Sequence, residues 1–174
     1  MGNTNLGVYR HEVKYHINRQ DAYMLEQMLG RVMHMDANCD AGGSYWIRSL
    51  YFDSQDNRDY AEKLSGIADR KKLRLRIYDA DTDAVKLEIK NKSGGYIFKE
   101  TTEIKRDDAY RLIYGQRDVL LKYDDQISRK AFTLIQRERI RPVVLIDYER
   151  TAFMYPFENI RITLDKNVRA SLNT

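Results

Sequence analysis

Apolar and polar residues alternate along several stretches of this chain and fall into a helical period in others. From Val8 to Ile17, Val13, Tyr15 and Ile17 share one parity, while Arg10, Glu12, Lys14 and His16 share the other, which predicts a half-buried strand. Asn18 can cap a following helix with Asp21 in its first turn, and Leu25, Met28, Leu29 and Val32 form its apolar stripe, ending near Gly30 to His34. Residues 36–43 read as a loop and Trp46 to Phe52 as a strand, after which Asp53 or Ser54 caps a short helix that Gly66 stops. Lys72 to Tyr78 alternates, with Leu73, Leu75 and Ile77 opposite the basic residues, and Val85 to Lys90 does the same. Asn91 to Gly95 is a turn, and Tyr96 to Ile104 returns as the second arm of a hairpin. A short helix is expected from Arg106 to Tyr114, closed by Gly115, and a longer one marked by Ile127, Ala131, Leu134 and Ile135 ends before Pro142. Val143 to Arg150 and Ile160 to Leu164 complete the strands. With no internal repeat and no linker, the pattern predicts one α+β domain over residues 8–174, built on a mainly antiparallel sheet.

Composition narrows the class without naming a function. The 174 residues suffice for one domain with a real core, and 43% hydrophobic with 32% charged content is that of an ordinary folded protein. No stretch of 18 apolar residues and no apolar N-terminal segment is present, so neither a membrane span nor a signal peptide is expected. Cys39 is the single cysteine and has no internal partner, which fits a reducing, cytoplasmic setting. The formal net charge of +4 is too small to indicate a polyanion ligand by itself.

The placement of the charges says more. On one parity of segments 10–16, 72–78, 86–90, 148–150 and 161–165 stand Arg10, Glu12, Lys14, Lys72, Arg74, Arg76, Lys86, Glu88, Lys90, Arg150, Arg161 and Asp165, nine basic groups against three acidic. A solvated sheet face is the ordinary explanation for charged alternation. Such a face normally mixes signs, however, because like charges on neighbouring strands repel. Lys72, Arg74 and Arg76 follow one another on their face with no acid among them. An anionic ligand would neutralise that row, and arginine's planar fork suits phosphate oxygens. Glu12, Glu88 and Asp165 either pair with these cations or help to hold a divalent cation that bridges to phosphate.

Six short motifs then form a pattern: Arg10–Tyr15, Ser49–Asp53, Lys72–Tyr78, Lys86–Lys90, Tyr148–Phe153 and Arg161–Asp165. In order and spacing they resemble the VTC domain, the polyphosphate polymerase domain of vacuolar transporter chaperones and their bacterial relatives, within the CYTH-like triphosphate tunnel metalloenzymes. The resemblance runs from about Val8 to Val168. It implies an antiparallel β tunnel or barrel with peripheral helices, its basic residues facing the lumen. It also implies transfer of the γ-phosphoryl of ATP onto polyphosphate with Mn²⁺ or Mg²⁺. By the same resemblance Arg74, Arg76 and Lys90 would be catalytic, and Lys14, Lys72, Lys99, Tyr148, Arg150 and Arg161 would bind substrate. Glu12, Glu88 and Asp165 would be at the metal. The family continues after the Arg161–Asp165 strand with another strand, bearing an acid and a base, and a terminal helix; the tunnel is therefore expected to be incomplete at Thr174.

Two other activities suit the same fold: hydrolysis of a triphosphate, and binding of polyphosphate or inositol phosphates without turnover. ATP or triphosphate and polyphosphate are the expected partners, and relatives act beside membrane proteins, though no residue here marks such a partner. Nucleic-acid binding ranks last, since only Tyr78 and Tyr148 interleave with the charges as stacking platforms.

Overall fold

The computed structural model describes residues 11–157 and 160–172. In chain order the elements are α1 (Arg19–Val32), β1 (His34–Met35), β2 (Tyr45–Asp53), α2 (Arg58–Leu64), β3 (Arg70–Ile77), β4 (Ala84–Ser93), β5 (Tyr96–Lys105), α3 (Arg106–Ile113), a 3-10 turn (Arg117–Lys122), α4 (Gln126–Glu138), β6 (Arg141–Met154) and β7 (Arg161–Leu172). They form two compact units. Among the described residues, the first holds 11–12, 48–146 and 170–172, and the second holds 13–47 and 147–169.

In the first unit β2, β3, β4 and β5 are successive antiparallel neighbours. Alternation sends Leu73, Leu75, Val85, Leu87, Ile89 and Ile104 to one face, where helices α3 and α4 and the 3-10 turn cover them with Leu112, Leu120, Ala131 and Ile135. Leu87 and Ile89 are fully buried, and burying each such side chain contributes about 1.5–3 kcal/mol. Helix α2 starts later than expected, with Asn57 rather than Asp53 or Ser54 at its cap position, yet both of those side chains still take up amides of its first turn. Asp53 accepts from the backbone N–H of Asp59 and Tyr60 at 2.9 and 3.1 Å, and Ser54 Oγ accepts from that of Arg58 at 2.9 Å. Gly66 follows α2 in the left-handed region at φ +71, where a side chain would be strained.

In the second unit, Asn18 caps α1 by accepting from the N–H of Asp21 at 2.8 Å. Short β1 pairs with the end of β6, and β7 pairs with β6. A small core of Met33, Phe153 and Leu164, with Leu29 against it, holds the helix to these strands. Glu26 of α1 ties it further, accepting from Thr151 Oγ1 at 3.0 Å on β6 and from Lys166 Nζ on β7.

Three expectations are corrected. Residues 11–18 are not a strand, and Val13, Tyr15 and Ile17 are 70%, 81% and 43% exposed. Alternation creates a strand only where a neighbour takes up the backbone N–H and C=O groups, and no described strand pairs with this segment. The earlier part of the expected strand, including Arg10, lies outside the described residues. The hairpin turn is tighter than expected, because pairing continues to Ser93↔Tyr96 and leaves Gly94 and Gly95 at the tip, Gly94 at φ +56. Finally, β6 and β7 are longer than their apolar alternation suggested. Pro142 sits at the second position of β6, where the missing N–H is tolerated.

Candidate functional site

Strand register assembles the charged residues of the first unit on the sheet face opposite the helices. Arg76 lies between Ser49 of β2 and Lys86 of β4; Arg74 lies between Tyr51 and Glu88; Lys72 lies opposite Lys90, which is opposite Lys99 of β5. The acid missing from the Lys72–Arg76 row is thus supplied by the next strand, at its centre.

Glu88 is fully buried, and both its oxygens are taken. Oε2 accepts from Arg74 Nε at 2.6 Å and Oε1 from Lys99 Nζ at 3.0 Å, with Arg76 Nη1 3.8 Å from Oε2. Burial alone would raise its pKa, but Arg74, Arg76 and Lys99 together outweigh it and bring the carboxyl from 4.5 down to about 2. The guanidiniums are held from their other sides. Arg74 Nη1 donates to Tyr51 Oη at 3.0 Å, and Arg76 Nε donates to Ser49 Oγ at 3.0 Å. Tyr51 and Tyr78 also lie 5.7 and 5.9 Å from the Arg74 and Arg76 guanidinium carbons, and Tyr78 lies 5.1 Å from Lys86 Nζ. Burial works to lower the pKa of Arg74, but Glu88 and Tyr51 win, so this arginine stays charged.

This is not a solvated face. Arg74 and Arg76 are only 9% and 6% exposed. Around Glu88 three cations, the buried Arg74 and Arg76 and the exposed Lys99, converge on one carboxylate. Opposite Glu88, Thr101 Oγ1 is buried without a hydrogen-bond partner among the described residues. Lys72 is half-buried, and burial lowers its pKa against the pull of Asp59. At the edge Lys90 Nζ meets Glu12 Oε2 at 2.7 Å.

The second unit carries its own ion pairs. Arg150 and Asp165 form a two-point pair, Nε–Oδ1 at 2.6 Å and Nη2–Oδ2 at 2.8 Å, with Arg150 lying 5.2 Å from the buried Tyr148 ring. Burial opposes the charge of Arg150, yet the Asp165 bond raises its pKa. Arg161 Nη2 donates to Asp36 Oδ2 at 2.7 Å and Tyr45 Oη at 2.8 Å. Lys14 is exposed on the irregular segment. Of the twelve candidate residues, the first unit therefore holds Glu12, Lys72, Arg74, Arg76, Glu88, Lys90 and Lys99. The second holds Lys14, Tyr148, Arg150, Arg161 and Asp165.

The three carboxylates expected at a metal do not make a ligand set here. Glu12, Glu88 and Asp165 each engage Lys or Arg, and no group of three or more His, Cys, Asp or Glu side chains among the described residues is arranged to hold a cation. The alternation of the sequence did not single out Ser49, Tyr51, Asp36 or Glu26. Ser49 and Tyr51 stood in the Ser49–Asp53 motif and share a parity within β2, a signal that acquires meaning once β2 is known to lie beside β3.

Two solved structures resemble this architecture. One is a protein of Bacillus halodurans assigned provisionally as an adenylate cyclase, with a TM-score of 0.60 and 12% identity over 95% of this chain and 74% of that one. The other, from Hippeastrum, is provisionally an adenylyl cyclase with a dominant triphosphatase activity; it matches with a TM-score of 0.52 and 14% identity over 92% of this chain and 70% of that one. No protein of curated function matches the chain. The VTC domain family, by contrast, matches residues 9–173. The α+β antiparallel architecture is that of the CYTH-like triphosphate tunnel fold, and the chain belongs to the VTC domain family.

Proposed function

We propose that this domain is a polyphosphate polymerase, which moves the γ-phosphoryl of ATP onto the end of a polyphosphate chain gripped by the basic face of the first unit. The observation that carries the reading is that the buried Arg74 and Arg76 and the exposed Lys99 converge on the single carboxylate of Glu88, an arrangement of cations suited to a polyanion. A terminal phosphate oxygen of the polymer attacks the γ-phosphorus, the bond to the β–γ bridging oxygen breaks, and ADP leaves as a new anhydride forms. Such a transfer needs positioning and charge stabilisation more than covalent help. Arg74, Arg76 and Lys90 act on the reacting phosphates. Lys72 and Lys99 hold the flanking ones. Glu88 presets the Arg74 plane, so its donors are oriented before substrate arrives. Triphosphate tunnel enzymes typically use divalent metals, and use of Mn²⁺ or Mg²⁺ here rests on that family membership.

The triphosphatase activity of the Hippeastrum protein supports a second reading, in which water rather than polymer accepts the phosphoryl group. ATP labelled at the γ-phosphate, incubated with the protein and Mn²⁺ or Mg²⁺, separates the two. Label in a long polymer, abolished by Arg74→Ala or Arg76→Ala, is the expected result. Label appearing only as free phosphate establishes the hydrolase. Saturable polyphosphate binding with no product under either metal rejects both and leaves a binding module.

A further inference from the structure

On the helical side of the first unit, away from the Arg74–Glu88 face, a pocket of about 430 Å³ opens between the end of α3, the end of α4 and the start of β6. That volume falls within the range of small-molecule sites. Its floor is apolar and belongs to the core: Phe52, Leu112 and Ile140 are 3%, 2% and 9% exposed. Three arginines line it, Arg117, Arg139 and Arg141, and no Asp or Glu does. Arg117 Nε donates to the neutral Gln136 at 3.0 Å. The side chains of Arg139 and Arg141 make no hydrogen bond or ion pair among the described residues. The nearest acid in sequence, Glu138, is engaged by Arg58 and Arg137.

The backbone adds a second sign. Arg139 ends α4 in the left-handed region at φ +51, a conformation glycine adopts without strain and arginine does not. Backbone strain of this kind collects at ligand sites and switch regions.

We propose that this pocket is a second ligand site, taking a nucleoside mono- or diphosphate with its base on the apolar floor and its phosphate on the three arginines. The lining excludes a cation. A bare phosphate polymer would leave the floor empty, whereas a nucleoside fills it and places its charge at the rim. Exposed Tyr114 stands beside the same opening and offers a ring against the base. The site is separate from the proposed polymer-binding face and does not depend on it.

The test is a ¹⁵N–¹H correlation titration of the full chain with AMP and ADP, in which the amides around the pocket report separately from those of the basic strands. Saturable shifts of the Gly115, Arg117, Arg139, Ile140 and Arg141 amides are expected. Arg139→Gln/Arg141→Gln should weaken binding by about tenfold or more, and adenosine or inorganic phosphate should each bind more weakly than AMP by a similar factor. Should the double variant not fold, Arg117→Gln at its exposed position gives the same readout. Absence of shifts at these amides up to about 10 mM nucleotide overturns the proposal. So does adenosine binding as well as AMP, which leaves the arginines idle, or phosphate binding as well as AMP, which leaves the floor idle.

Discussion

Replacing Glu88 with glutamine keeps its shape and removes its charge, leaving Arg74, Arg76 and Lys99 around a neutral amide in a buried place. Two routes give the size of the effect. Holding the carboxyl at about 2 rather than 4.5 corresponds to about 3 kcal/mol of native-state stability at neutral pH. Removing one partner of a buried ion pair costs about 3–5 kcal/mol, because the remaining charge stays buried and uncompensated. The pH dependence distinguishes this cause from a packing defect. A lowered carboxyl pKa stabilises the fold fully above the unfolded value, and that contribution is lost as pH falls from about 4.5 toward about 2. The gap between the native chain and Glu88→Gln in urea unfolding should therefore be about 3 kcal/mol at pH 7 and about 1–1.5 kcal/mol at pH 3. A gap below about 1 kcal/mol at pH 7, or one equal at both pH values, refutes the electrostatic account of the cluster. Tripolyphosphate provides a second check. By binding the native state it should stabilise Glu88→Gln at least as much as the native chain, since the variant's cluster lacks an anion.

Asp59 should act in the opposite direction. Burial, aided by Asp53, raises its pKa to about 6, so its stabilising contribution is present below about 3.8 and lost as pH rises through 6. Asp59→Asn is expected to gain about 1–2 kcal/mol at pH 8, after allowance for its partial exposure, and nothing at pH 4, read by urea unfolding. Asp165→Asn, which breaks the two-point pair with Arg150, should cost about 1–2 kcal/mol and leave tripolyphosphate binding to the first unit unchanged by calorimetry. Asn18→Ala removes the α1 cap and should cost about 1 kcal/mol, seen as earlier loss of helical circular dichroism on heating.

Much of this was legible from residues acting locally. Asn18 caps α1, and Asp53 and Ser54 hold the first turn of α2, because a side-chain oxygen reaches an amide three to seven residues away, and that reach is encoded in spacing. The alternation of Leu73, Leu75 and Ile77 with Lys72, Arg74 and Arg76 likewise sorts residues onto two faces, whatever pairs with the strand. The same rule misled at Val13, Tyr15 and Ile17, where the alternation is present and the neighbouring strand is not among the described residues.

The sequence by itself therefore determined the antiparallel α+β class, the presence of helices α1, α3 and α4 and the concentration of basic residues on one parity, because these follow from a period of two, a period of 3.6 and local capping. Only the tertiary structure decided that Glu88 sits among Arg74, Arg76 and Lys99, that Arg74, Arg76 and Glu88 are buried, and that Tyr51 and Ser49 hold the guanidiniums. Those facts depend on register between strands distant in the chain, where a slip of one residue would send every side chain to the other face.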